Sequence, residues 1–95
     1  MPAYFVAEVE VTNGAGYEPY RALAGASIAQ YGGRFVARGG TTELLEGSPE
    51  PQRVVIIEFA DVAAAKLWYN SPEYQKALPI RLANSTGRAF IVEGA

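Results

Sequence analysis

Four segments of this chain alternate side chains with a period of two, and two helical stretches divide them in a fixed order. Ala3 to Thr12 splits by parity, with Phe5, Ala7, Val9 and Val11 on one side and Tyr4, Val6, Glu8 and Glu10 on the other. Arg34 to Arg38, Arg53 to Phe59 and Gly87 to Glu93 read as three further strands, the Val- and Ile-rich run at 53–59 being the clearest. Between the first two strands, Tyr17, Tyr20, Ala24, Ser27, Ile28 and Tyr31 recur at the three-to-four spacing of one helical face. After the third strand, Val62 to Tyr69 reads as helix, and a second start at Ser71 carries it toward Asn84.

The order βαββαβ predicts an α+β, ferredoxin-like sandwich: a four-stranded antiparallel sheet with helices on one face. That fold class implies the strand order 4-1-3-2. Local chemistry marks the boundaries. Asn13 and Asp61 suit helix N-caps, as does Ser71 with Pro72 behind it and Glu73 at the positive helix end. Gly32-Gly33 suits a left-handed helix stop. Gly39-Gly40 marks a bulge, a bend or a close backbone approach, after which Thr41 to Leu45 can continue the strand. Glu46 to Pro51 is loop chemistry, and Pro79 is expected to kink or interrupt its helix.

Sorting the strands by parity predicts that Phe5, Phe35, Phe59 and Phe90 share the face under the helices. The opposite face then carries Val6, Glu8, Glu10, Val36, Arg38, Val54, Ile56, Glu58, Ile91 and Glu93. It is too apolar for a solvated face and too charged for a core. Two copies packed sheet to sheet would bury the aliphatics, with Arg38 or Arg34 pairing to Glu58, so a homodimer through this face is expected.

Composition supplies mainly exclusions. The 95 residues are expected to form one domain over 1–95, with 49% apolar and only 19% charged residues, against about 25% charged in typical domains. That imbalance again suggests a covered surface. With no Cys and no His, disulfides, thiolate chemistry and Ser-His-Asp or Cys-His catalysis are excluded. A net charge of -2 and a pI near 5.0 argue against a nucleic-acid partner. No basic-apolar leader and no membrane-length apolar run is evident, so no membrane partner and a cytoplasmic location are expected. Gly14-Ala15-Gly16 follows a strand, but Pro19 occupies the third glycine position of a dinucleotide fingerprint. No metal and no cofactor are expected, since an all-carboxylate metal site finds no matching Asp/Glu spacing.

The runs Phe35-Val36-Ala37-Arg38-Gly39-Gly40, Leu45-Glu46-Gly47 and Arg53 to Phe59 resemble the domain-of-unknown-function 1330 family. So do Trp68 to Gln75, Ile80-Arg81 and Ile91-Val92-Glu93-Gly94, and the resemblance covers nearly the whole chain in order. It implies a dimeric α+β barrel, in which two ferredoxin-like sheets close on each other. The wider superfamily includes cofactor-free monooxygenases, muconolactone isomerase-like enzymes, dye-decolorising peroxidases and stress-responsive barrels. A chain without His cannot use those members' His base or haem ligand.

Two groups of residues are candidates for chemistry. Trp68, Tyr69, Tyr74 and Arg81 combine aromatic rings, a cation and a helix start, which suits an anionic or polarised aromatic ligand. The plainer reading of the same residues is a packed core or interface with polar tips satisfied at the edge. Glu58 is the candidate acid or base, if crowded with Glu8, Glu10 and Glu93 in a dry barrel; ion pairing to Arg34, Arg38 or Arg53 is the plainer role. The Tyr17, Tyr20, Tyr31 stripe with Arg21 reads as core, with Tyr17 and Tyr20 able to reach a pocket mouth. The expected function is small-molecule binding between sheet and helices, with cofactor-independent oxygenation or isomerisation as its catalytic form. The competing reading is a non-catalytic dimeric interaction or regulatory module.

Overall fold

The computed structural model describes residues 1–95. The elements are β1 (Ala3–Val11), α1 (Gly14–Gln30), β2 (Arg34–Arg38), β3 (Arg53–Phe59), α2 (Val62–Tyr69), α3 (Pro72–Asn84) and β4 (Ser85–Glu93). The strands form one antiparallel sheet in the order β2-β3-β1-β4, as the ferredoxin-like arrangement requires. No helix is long and apolar enough to cross a membrane.

The capping residues act as their chemistry dictates. Asn13 accepts from the Gly16 amide at 3.1 Å, Asp61 from Ala64 at 2.7 Å, and Ser71 from Tyr74 at 3.1 Å. Gly32, at φ 78°, turns the chain out of α1 while the Gly33 amide reaches back to the Ile28 carbonyl at 2.9 Å.

Four expectations need correction. First, α3 runs unbroken through Pro79. Pro79 lies on the exposed side, while Tyr74, Ala77 and Arg81 bury the other, and this packing holds the helix despite one missing amide donor. Second, Thr41 to Leu45 forms no strand: the chain turns at Gly39, φ 70°, whose amide makes the last link to Val54. Third, β4 is set by its ladder with β1, which opposes Val6 to Phe90 and Phe5 to Ile91. Phe90 therefore sits on the outer face, and Ile91 and Glu93 on the helix face. Fourth, the register of β2 shifts between Phe35 and Ala37, so Arg38 opposes Val55 and shares the helix face with Phe35.

The core lies between the sheet and the helices. Phe5, Ala7, Val9, Ile57 and Phe59 from the strands meet Tyr17, Ala24, Ile28, Ala65, Trp68, Tyr74 and Ala77 from the helices. Trp68 is the hub. Its ring meets Phe5 edge-on at 5.0 Å, Phe59 at 5.3 Å and Tyr74 at 4.2 Å between centroids. Its buried indole N–H donates to Ser27 Oγ at 3.0 Å, and Ser27 in turn donates to the Ala24 carbonyl at 2.8 Å. The Trp68 carbonyl accepts from Ser71 Oγ at 2.6 Å, so one residue ties α1, α2 and the start of α3 together.

Ser27→Ala leaves the buried indole N–H without its acceptor and should lower stability by about 1–3 kcal/mol. Trp68→Ala should cost about 3–5 kcal/mol through the cavity it opens. Urea denaturation of the purified variants checks both.

Candidate functional site

The helix face is not closed over its whole length. A cavity of about 300 Å³ remains between the sheet and α1, reached by α3 at one end. Phe5, Ala7 and Val9 of β1 and Val55 of β3 form its floor, and Tyr17, Tyr20, Ala24 and Ile28 of α1 its roof. Four of the six arginines in the chain line it: Arg21, Arg38, Arg53 and Arg81.

Each arginine arrives for a local reason. The register shift in β2 turns Arg38 inward, where its guanidinium lies 4.3 Å from the centre of the Phe35 ring. Arg53 opposes Val9 and so points to the helix side. Its guanidinium passes over Gly39, where a Cβ would collide with it. Arg21, one helix position beyond Tyr20, lies 5.7 Å from the Tyr17 ring and 3.5 Å from Glu18 at the exposed edge. Arg81 comes from the buried face of α3 and is only 7% exposed.

The Nε atoms of Arg53 and Arg81 are buried and have no hydrogen-bond partner. Beside Arg81, the Tyr20 and Tyr74 hydroxyls share a hydrogen bond at 2.8 Å. Burial pushes both phenols above their ordinary pKa, so they stay neutral donors and acceptors across the physiological range. Burial works against the Arg81 charge, while a hydrogen bond to the neutral Tyr74 hydroxyl favours it. None of the ten acidic residues lines the cavity. The arrangement can hold an anion, stack a ring and donate a phenolic hydrogen bond.

The residues singled out from the sequence do not all converge here. Arg81 lines the cavity, and Tyr74 reaches it through Tyr20. Trp68 is fully buried behind it and donates to Ser27. Tyr69 packs beside Trp68 and opens instead on a groove with Phe5 and Phe90. Glu58 is on the opposite face of the sheet, accepting from Arg34 Nε at 2.6 Å and from the Tyr4 hydroxyl at 3.3 Å, so a ligand in the cavity cannot reach it. The ion pair expected for Glu58 is made by Arg34 and not by Arg38. Sequence reading missed Arg38 and Arg53 as cavity residues. For Arg53 the signal was Gly39, which marks its close passage; the inward turn of Arg38 had none.

The model of the family described as "Domain of unknown function (DUF1330)" matches residues 2–95. None of the curated proteins matches the chain. A protein of unknown function from Rhodopseudomonas palustris superposes with a TM-score of 0.81 at 22% identity, over 99% of this chain and 82% of that one. SnoaB from Streptomyces nogalater, a cofactor-independent oxygenase, superposes with a TM-score of 0.70 at 23% identity, over 99% of this chain and 93% of its own. A dimeric ferredoxin-like protein of unknown function from Jannaschia sp. CCS1 gives 0.71 at 15% identity, over 100% and 99% of the two chains. At these identities the likeness establishes the fold.

The raised phenols also make a stability prediction. Their neutral form is favoured in the folded state, so this contribution is whole below the ordinary tyrosine value of 10.0 and is lost as pH rises above it. In an alkaline titration followed by tyrosinate absorbance, Tyr20 and Tyr74 should ionise only together with unfolding. Tyr20→Phe should remove part of that delayed absorbance step.

Proposed function

The chain belongs to the DUF1330 family, and we propose that it binds a small organic molecule in the cavity between its sheet and helices. The observation that carries this is a space of about 300 Å³ left open inside an otherwise packed face, lined by rings and by four arginines, of which only Arg21 has an acidic partner. A space of that size takes a single substituted ring. Arg81 is the anchor, with Tyr20 and Tyr74 giving it a fixed, uncharged hydrogen-bonding neighbourhood. Trp68 and Tyr69 back the wall and hold it rigid, and Glu58 stays an ion-pair partner of Arg34.

The same reading includes a homodimer through the outer sheet face. Phe90 and Val92 are 42% and 47% exposed there, on the same face as Val6, Val54 and Ile56, with the Arg34–Glu58 and Arg88–Glu8 pairs toward the margins. Dimeric assembly of the protein from Jannaschia sp. CCS1 supports it. Such a dimer would give the α+β barrel.

If chemistry follows binding, cofactor-independent oxygenation is the reaction class favoured, because SnoaB shares the fold over nearly the whole chain. Without a His or carboxylate in the cavity, a substrate would have to bring its own acidic proton and leave it to solvent before reaction.

Trp68 is the only tryptophan, and its ring touches Phe5 of the cavity floor, so its fluorescence should change saturably with one class in a panel of small aromatic, quinone-like and carboxylate compounds. Ala24→Leu, which fills the cavity, should weaken that binding by about tenfold or more, near 1.4 kcal/mol. A flat response from folded protein would instead favour an interaction module. Ile56→Asp should convert a dimer to monomer in sedimentation velocity.

A further inference from the structure

The cavity arginines fall into two tiers. Arg81 is 7% exposed and Arg53 is partly buried, and each has a buried Nε that nothing in the chain accepts from. Arg38 and Arg21 are exposed, each held flat beside an aromatic ring of the lining, Phe35 and Tyr17. Buried polar groups are nearly always paired, so each orphaned Nε calls for an explanation. The two residues that carry them line the same cavity. No acidic residue lines it, and Glu18 meets Arg21 at the exposed edge.

Apart from the Arg21–Glu18 contact, no carboxylate of the chain pairs with these charges. Arg34 and Arg88 are committed to Glu58 and Glu8 on the outer face. The chain as a whole is acidic, at -2, yet this single cavity gathers four positive charges. One anionic group would satisfy one tier and leave the other facing only solvent or rings. Apolar floor residues, Phe5, Ala7, Val9 and Val55, add a surface fit for a ring or short hydrocarbon.

Resting on the small-molecule reading above, we propose that the cavity is selective for small organic dianions: a ring or short chain carrying two carboxylates, held between them by Arg81, Arg53, Arg38 and Arg21. The planar guanidinium fork matches a carboxylate in two parallel hydrogen bonds, and the neutral Tyr20–Tyr74 pair adds a donor without adding charge. The ligand enters already ionised, because no group lining the cavity is a base at neutral pH.

The test is calorimetric titration of the full chain at neutral pH with four ring compounds of similar size: isophthalate, benzoate, benzamide and benzamidine. Affinity should fall by about tenfold from isophthalate to benzoate and again to benzamide, with benzamidine not binding. Arg53→Gln should flatten the isophthalate-to-benzoate ratio while benzamide affinity holds. Arg81→Gln should do so more strongly, and Arg53→Gln carries the test alone if the buried position proves intolerant. Benzamide binding as tightly as isophthalate, with Ala24→Leu blocking both, would overturn the charge selectivity and leave the cavity reading standing. No heat and no Trp68 response from any of the four would overturn both.

Discussion

The hydrogen bond from the Trp68 indole to Ser27 Oγ is the constraint from which most of this structure follows. It joins the last turn of α1 to the end of α2 in a place that water does not reach. Ser27 accepts there through its lone pairs while its own proton goes to the Ala24 carbonyl, and Ser71 closes the other side of Trp68 by donating to its carbonyl. With α1 held at that point, Phe5 and Phe59 pack under the indole, and Tyr31 reaches Glu73 at 2.8 Å to tie α1 to α3. The cavity is the remainder of the same geometry. Where α1 runs past Ala24 toward its N-terminus, no large residue of the sheet rises to meet it, since Ala7 and Val9 occupy the floor.

Charge and shape are divided between the two faces of the sheet. On the outer face, each arginine faces a carboxylate, and the aliphatic residues between them suit a second copy of the same surface. On the inner face, the arginines face rings, hydroxyls and empty space. A chain of acidic overall charge thus has one strongly positive interior. Arg38, Arg53 and Arg81 have no carboxylate partner there, and low-dielectric walls make their field stronger than the same charges would produce on an open surface.

Much of the fold was legible in the sequence because local chemistry and fold agreed. Asn13, Asp61 and Ser71 cap where their side chains predict, and the βαββαβ order yields the observed sheet. Legibility failed where a decision was made between strands. Both parities of β4 are apolar, Ala89 and Ile91 against Phe90 and Val92, so only the ladder with β1 could choose the buried set. The shift in β2 has no residue signature of its own, and Arg53 at a strand's first position reads as a boundary. For the site, Arg81 and the Tyr17–Tyr20 pair were visible as candidates, whereas the gathering of four arginines was not, because two of them depend on sheet register. Trp68 drew notice as a ligand contact on account of its ring, but the same ring is what the core needed.

The shifted register of β2 has a consequence for how such a cavity could diverge. Strand side chains alternate, so Arg38 faces inward only because one extra residue precedes it opposite β3. Exchanging single residues in this stretch changes what a position carries, not which side it faces. Gaining or losing one residue in β2 exchanges every position beyond it between the interior and the outer surface at once. The charge presented to a ligand is therefore governed by the length of a five-residue strand as much as by its composition. Relatives with similar residues but a different count there would be expected to differ in ligand while keeping the fold.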